Sequence, residues 1–265
     1  MIKLIASDMD GTLLDSNGNL PEDFFNILNK LVERGVIFVA ASGRQYFTLA
    51  KNLSKGKDKI TFAAENGAFI VHQGKELFSK ALSRKTVLDI IEDSNKIHDC
   101  KIILCGKNSA YIHDTDPEFI KQVNKYYYKN TIVADFNDIT DEIFKVAIYD
   151  YQGPEKNSNK IMYPKWGQTL QVTISGEKWL DIGRNDINKG VAIKFLQHKY
   201  GIKEEETMVF GDYYNDIHML KSAYHSYVML NAPEDIKKYG RFVAESNDDD
   251  GVLRVIKSQV LAKEA

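Results

Sequence analysis

The chain has 265 residues, 43% of them hydrophobic and 27% charged, with a formal net charge of −2; this is ordinary for a water-soluble globular protein and long enough for one large domain or two modest ones. Near neutrality without a long Lys/Arg block gives no footing for nucleic acid or an anionic membrane, and no apolar stretch reaches the length of a membrane span. Two cysteines, Cys100 and Cys105, are too few for a disulfide framework, and the N-terminus runs into a strand rather than a signal peptide, so the expected home is the cytoplasm.

The first apolar run, Ile2 to Ser7, reads as a short strand that closes in Asp8-Met9-Asp10-Gly11-Thr12. Asp is seldom buried without a partner, and a like charge two positions away raises the cost, so a bound cation is the obvious remedy. In a strand, residues i and i+2 project to the same side, which lets Asp8 and Asp10 address one volume while Gly11 turns the backbone away. Hard oxygen ligands beside a substrate phosphate suit Mg²⁺. The pair therefore reads as a metal-assisted phosphoryl site with one carboxylate free to attack. A calcium loop does not fit, because Gly11 arrives two positions early and no Glu closes the loop. A solvated turn with incidental acids is the plain alternative.

Pro21 to Arg34 carries Phe24, Leu28, Leu31 and Val32 at helical spacing, with Gly35 just past the end. Val36 to Ala41 is a continuous apolar block, as in a strand buried on both faces of a parallel sheet. It ends in Ser42-Gly43-Arg44, followed by a predicted helix through Tyr46, Leu49 and Leu53. A third strand, Ile60 to Ala64, ends in Glu65-Asn66-Gly67 and leads to a hairpin around Gln73-Gly74.

From about Ser83 the grammar changes. Helices are predicted over Thr86 to Lys96 and Pro117 to Tyr128, with strands over 102–105, 110–113, 144–149, 170–174 and 179–182. Runs of strands with few interposed helices indicate an α+β module with a largely antiparallel sheet. Gln152 to Gly167 reads as a loop or a short irregular helix. Strand and helix alternate again from Lys189: a helix to Tyr200, a strand Thr207 to Phe210 entering Gly211-Asp212, a helix from Asp216 to Ala223, strands at 227–230 and 242–244, and a last helix over 252–261. The fold class expected is α/β: a doubly wound, mostly parallel sheet from residues 1–82 and 187–265, with 83–186 inserted as a second module.

In such a sheet, ligands bind outside the carboxyl ends of the strands, so Asp8/Asp10, Ser42-Gly43 and Asp212 with Asn215-Asp216 can converge. Lys189, at a helix start, can neutralise phosphate as a point charge. The Ser42-Gly43 turn offers amides and a hydroxyl as an anion cradle.

Asp8-x-Asp10-Gly-Thr-Leu, Ser42-Gly43-Arg44, Asn66-Gly67, Asn188-Lys189-Gly190 and Gly211-Asp212-x-x-Asn215-Asp216 resemble, in order and spacing, the motifs of the haloacid dehalogenase superfamily. The insert is similar in size and position to the cap of its Cof-type subgroup, and Ala40 to Leu49 and Gly106 to Tyr111 resemble the SupH-type sugar phosphatases. The resemblance implies that Asp8 is a nucleophile forming an aspartyl-phosphate, and that Asp10 protonates the leaving oxygen, later activates water, and ligates Mg²⁺ through its backbone carbonyl. It implies a metal set of Asp8, Asp10 and Asp212, phosphate contacts from Met9, Ser42, Gly43, Lys189 and Asn215, and support from Asp216 and Thr12. The partner implied is a small phosphate ester held under the cap, with hinges near Leu82 to Lys85 and Asn185 to Asn188.

Tyr213 and Tyr214 stand where relatives usually carry at least one small residue, and are expected to point away from the metal or narrow the entrance. Tyr126-Tyr127-Tyr128 reads as packing, His218 as a surface histidine, and the acidic run 247–251 as a solvated loop before the last helix. Trp179, Asp181 and Arg184 stand near the end of the insert, where a substrate contact competes with packing or surface pairing. The function expected is a Mg²⁺-dependent phosphatase of small phosphorylated metabolites, sugar phosphates foremost. A phosphomutase or phosphotransferase would use the same intermediate. A receiver-like phospho-accepting module would need neither Asp10 nor the insert.

Overall fold

Short, almost wholly apolar runs build the principal sheet of the computed structural model, which describes residues 1–262. In chain order the strands are β1 (Leu4–Ser7), β2 (Ile37–Ala41), β3 (Ile60–Ala64), β4 (Phe69–His72) and β5 (Lys75–Ser79), then β6 (Cys100–Gly106), β7 (Ala110–Ile112), β8 (Asn130–Ile132), β9 (Ile143–Asp150), β10 (Leu170–Gly176) and β11 (Trp179–Arg184), and last β12 (Thr207–Gly211), β13 (His225–Met229) and β14 (Phe242–Ala244). The helices are α1 (Phe24–Glu33), α2 (Tyr46–Asn52), α3 (Arg84–Ser94), α4 (Pro117–Tyr126), α5 (Ser158–Trp166), α6 (Lys189–Tyr200), α7 (Ile217–Leu220), α8 (Glu234–Lys237) and α9 (Gly251–Ile256). The chain divides into two compact units, one made of Met1–Phe78 with the stretch from Asn188 onward, the other of Ser79–Ile187.

The first unit holds an eight-stranded sheet in the order β14-β13-β12-β1-β2-β3-β4-β5, parallel from β14 to β3 and antiparallel where β4 turns back on β3. Alternation along β1 sends Ile5 to one face and Leu4 and Ala6 to the other, and both faces are covered. Ile5 joins Phe24, Leu28 and Leu31 of α1 and Leu253 of α9. Leu4 and Ala6 join Ile193 and Leu196 of α6 and Leu220 of α7. Burying both faces is why these strands read as unbroken apolar runs. The first and last parts of the chain thus form a doubly wound α/β layer structure, in which Ser7 on β1 pairs with Phe210 on β12 and with Ala40 on β2. The polar turns that follow these strands consequently leave the sheet at one edge.

The second unit is a six-stranded sheet in the order β10-β11-β9-β6-β7-β8. Val146 and Ile148 face α3 and α5 with Ile90 and Met162, while Ala147 and Tyr149 face α4 with Phe119 and Val123. One element is absent from the sequence expectation, and another falls on one of its two alternatives. β8 runs parallel to β7; its three residues lack the apolar pattern that marks a strand, since Thr131 and Ile132 are exposed. Residues 158–166, inside the stretch read as a loop or irregular helix, form α5 despite Pro164. Asp150, fully buried, organises its start by accepting from Ser158 N at 2.9 Å, Gln152 N at 3.0 Å and Asn157 Nδ2 at 3.1 Å. Among the described residues no helix is long and apolar enough to cross a membrane.

Candidate active site

β1 stops at Ser7, and the amide of Asp8 still donates to Phe210 O of β12 at 3.0 Å, so Asp8 is held beside the end of that strand. Its residue is 6% exposed. Across the sheet edge α6 begins, capped by Asn188, whose side chain accepts from Val191 N at 3.1 Å. That cap places Lys189 in the first turn, where the residue is wholly buried and its Nζ donates to Asp8 Oδ1 at 2.5 Å and Asp216 Oδ1 at 2.7 Å. The second oxygen of Asp216 accepts from the backbone amides of Asp212 at 3.0 Å and Tyr213 at 3.1 Å. Asp216 is therefore committed to holding the lysine and the loop after β12. Asp212 Oδ1 accepts from Thr12 Oγ1 at 2.7 Å, which ties that loop to the one after β1.

Asp8, Asp212 and Asp216 bring carboxylate oxygens within 4.8 Å of one another, against one ammonium from Lys189. Burial pushes Asp8 well above the usual carboxylate range; Lys189 works against that shift, and Asp216 adds to it. Burial likewise raises Asp212 to about 6, with the Thr12 hydroxyl opposing and the charge of Asp216 assisting. Burial disfavours the Lys189 ammonium, but Asp216 and Asp8 outweigh it and hold the lysine charged. Such a cluster lacks positive charge. A hard cation taking oxygen ligands fits it, and since Asp216 is already bonded through both oxygens, Asp8 and Asp212 are the side chains suited to hold one.

β1 ends before Asp8 and Asp10, and the residues that follow close a tight turn, with Leu13 N bonded back to Asp8 O at 3.3 Å and Leu14 N to Met9 O at 2.8 Å. Gly11 sits in it at φ +76°, where a Cβ would come 2.5 Å from Asp212 Oδ2, so this position tolerates glycine alone. The Asp10 side chain, 55% exposed, is gripped by the Arg44 guanidinium, with Nε 2.8 Å from Oδ2 and Nη2 bonded to Oδ1. Met9, expected at the phosphate, buries its side chain in the core; only its backbone is left for that role.

The turn after β2 is built by its own polar groups. Ser42, nearly buried, donates its amide to Ala63 O at 2.9 Å, and its Oγ accepts from Arg44 N at 3.1 Å. A Cβ on Gly43 would lie 3.1 Å from Asn66 Oδ1, and Asn215 Nδ2 donates to that same oxygen at 3.2 Å. Asn66 thus links the turns after β2 and β3 with the loop after β12. Arg44 and Asn66 were given no task by sequence reasoning. The available signal was their place in Ser42-Gly43-Arg44 and Asn66-Gly67, two turns at the ends of neighbouring strands.

Tyr213 and Tyr214 extend from the same loop, 54% and 50% exposed, with ring centroids 4.9 Å apart and planes at 81°. The 247–251 run does more than solvate a helix start: Asp248 accepts from Ser16 N and Oγ, both at 2.7 Å, and Asn247 Nδ2 donates to Leu14 O at 2.9 Å, bracing the segment that follows the Asp8 turn. His218 is exposed. In the insert, Tyr127 is buried, Trp179 packs on Tyr126, Tyr127 and Tyr149, Asp181 accepts from Lys145 at 3.0 Å, and Arg184 is held by Asp186 at 2.7 Å.

A family model described as haloacid dehalogenase-like hydrolase matches residues 5–256. Among curated relatives, the 5-amino-6-(5-phospho-D-ribitylamino)uracil phosphatase YbjI of Escherichia coli is 34% identical over 266 residues, covering 100% of this chain and 98% of its own. A phosphatase of the same description, YcsE of Bacillus subtilis, is 26% identical over 264 residues, covering 98% of this chain and 96% of its own. Among solved structures, SMU.1108c from Streptococcus mutans superposes with a TM-score of 0.86 at 33% identity, covering 99% of this chain and all of that one.

Proposed function

Since the chain belongs to the haloacid dehalogenase-like hydrolases and is thereby a phosphatase acting on phosphate esters, we propose that it is a Mg²⁺-dependent phosphomonoesterase working through Asp8, on small sugar or sugar-alcohol phosphates. The observation that carries this reading is the buried Lys189 bonded to Asp8 and Asp216, with Asp212 beside them. One ammonium leaves the carboxylates uncompensated, and phosphate adds further negative charge.

Mg²⁺ held by Asp8, Asp212 and the Asp10 carbonyl would offset that charge and polarise the phosphoryl oxygens. The Asp8 carboxylate oxygen attacks phosphorus in line with the ester bond, forming the aspartyl-phosphate. The bond to the ester oxygen breaks as Asp10 delivers a proton to it. Water then attacks the same phosphorus, gives its proton to Asp10, and releases Asp8 and inorganic phosphate. Ser42, the Gly43 amide, the Met9 backbone and Asn215 hold phosphoryl oxygens, Lys189 neutralises charge on them, and Asp216 and Thr12 keep Lys189 and Asp212 in place. Asp10 cannot donate while both its oxygens accept from Arg44, so substrate entry has to loosen that pair.

The two ribitylaminouracil phosphatases among the relatives favour a five-carbon sugar-alcohol 5-phosphate within this class. We assign part of the choice among esters to the insert, residues 83–186, because the acid cluster lies wholly in the other unit. The test is a turnover screen of phosphorylated sugars, sugar alcohols, nucleotides and cofactors, with Mg²⁺ and with EDTA. Five-carbon 5-phosphates should rank high and EDTA should stop turnover. Unchanged rates in EDTA, or turnover of nucleotides with none of the sugar or sugar-alcohol phosphates, would defeat the reading.

A further inference from the structure

An open sheet presents unpaired backbone N–H and C=O groups along each edge, a template for a further strand, so proteins keep their edge strands short, charged or covered. Three of the four edges of this molecule follow that rule. β14 and β8 have three residues each, and β5 begins with the exposed pair Lys75 and Glu76. β10 is the exception. It has seven residues, pairs with β11 alone among the described residues, and contains neither proline nor charge; the chain is uncharged from Trp166 to Gly176.

The two faces of β10 differ. Leu170 and Val172 pack into the core of the second unit with Met162 and Trp166 of α5, whereas Ile174, next along that face, is 42% exposed. Tyr163 of α5 is exposed as well, and its ring lies against Gly167, where a Cβ would be 3.0 Å from Cδ2. On the opposite face Gln171 and Thr173 stand exposed and uncharged. Pairing with β11 is regular from Leu170 to Ile174 before the register shifts, so apolar and polar side chains alternate without interruption over that stretch.

Such a strip is complementary to itself. Laid antiparallel on a second copy about Val172, it sets Val172 opposite the partner's Val172, Leu170 opposite the partner's Ile174, and Gln171 opposite the partner's Thr173. Each apolar side chain then meets an apolar one, each polar side chain a polar one, and no charge faces its like. A slip of one residue would set Ile174 against the partner's Gln171. The twofold axis stands perpendicular to the joined sheet, so the partner's α5 comes to the same side as α5 and its exposed Tyr163, and every contact away from the axis is made twice.

We propose that β10 is a self-association edge, at which two copies of this chain pair antiparallel about a twofold axis at Val172 and continue one sheet into the other. The pairing covers the open backbone of both strands and the exposed flank of Ile174. The regular stretch from Leu170 to Ile174 is short and falls below the about 1,200 Å² of a standard stable interface, so the dimer is reversible and dissociates in the micromolar range.

Sedimentation velocity of the full chain, from micromolar to millimolar concentration, should show a reversible change from one copy to two. Gln171→Lys/Thr173→Lys opposes like charges on both sides of the axis and should raise the dissociation constant about tenfold or more; both side chains are exposed, and circular dichroism checks that the fold is kept. Mixing this variant with Gln171→Glu/Thr173→Glu should restore association as a heterodimer. Crosslinking tests the register without added charge. Val172→Cys should join to its own copy on oxidation, because directly opposed residues have Cα atoms about 4.5–5.5 Å apart. Gln171→Cys, about 7–8 Å from its copy on the diagonal, should not; Cys100 and Cys105 are a background common to both. A single copy throughout the concentration range, association indifferent to the lysine pair, or equal crosslinking by the two cysteine variants overturns the proposal.

Discussion

Lys189 is the residue whose loss should be felt in both stability and chemistry. Replacing it with methionine keeps an unbranched apolar stem of similar length and removes only the ammonium, which is wholly buried between Asp8 and Asp216. Breaking a buried pair by removing one partner costs about 3–5 kcal/mol, because the other charge is left without compensation. Domains are stable by only about 5–15 kcal/mol in total, so the loss is a large fraction of the whole. Urea unfolding of the metal-free protein at pH 7 reads it as a lower midpoint at unchanged slope. Neutralising the stranded carboxylate in Lys189→Met/Asp216→Asn should recover part of the stability, giving a favourable coupling in the double-mutant cycle. Turnover should fall about 10²–10³-fold in the single variant, the scale on which removal of one oriented donor acts. If Lys189→Met unfolds within about 1 kcal/mol of the native chain, the lysine does not compensate these carboxylates and the electrostatic account of the site is refuted.

Asp8→Asn should abolish turnover while the chain keeps its fold, since an amide cannot form the aspartyl-phosphate; native-like circular dichroism with wild-type rates would show another nucleophile. Asp212→Ala should weaken Mg²⁺ affinity, read by calorimetric titration, with activity partly restored at high metal; equal affinities would move the ligand elsewhere. Arg44→Ala frees both Asp10 oxygens, so kcat should stay within about threefold of the native chain or rise, and stability should change by less than about 1 kcal/mol because the pair is solvent-exposed; a fall of about tenfold or more, the scale of a misplaced general acid, would show that Arg44 positions Asp10 and does not restrain it. Burial alone would raise the pKa of Asp150, yet the bonds from Ser158, Asn157 and Gln152 outweigh it and depress the group below its ordinary 3.8. Its contribution is therefore present above that value and lost as pH falls through the folded-state pKa. Asp150→Asn should cost about 1–3 kcal/mol at pH 7, and the deficit should shrink below pH 3.8; a pH-independent deficit would show that the charge is irrelevant.

The doubly wound layering was legible in the sequence because its strands are buried on both faces: Val36 to Ala41 read as such a strand and Ile60 to Ala64 as a further one, and β2 and β3 lie inside the sheet. Asp8, Asp212 and Asp216 were legible as a group because parallel strands deliver their following turns to one edge of the sheet, whereas Lys189 was legible only as the charged first residue of the helix after the insert. Elements whose signal is tertiary stayed hidden. β8 exists by pairing with β7, and α5 starts on a carboxylate supplied by β9, so neither carries its cause within its own segment. The same holds for Asp10, whose partner is not written in its own segment. The strand stops at Ser7, and the direction of the Asp10 side chain was left to Arg44, 34 residues away. Local sequence fixes what an element prefers. Where a side chain points beyond the element's end is decided by whichever distant group reaches it, because an exposed carboxylate has no packing to hold its direction.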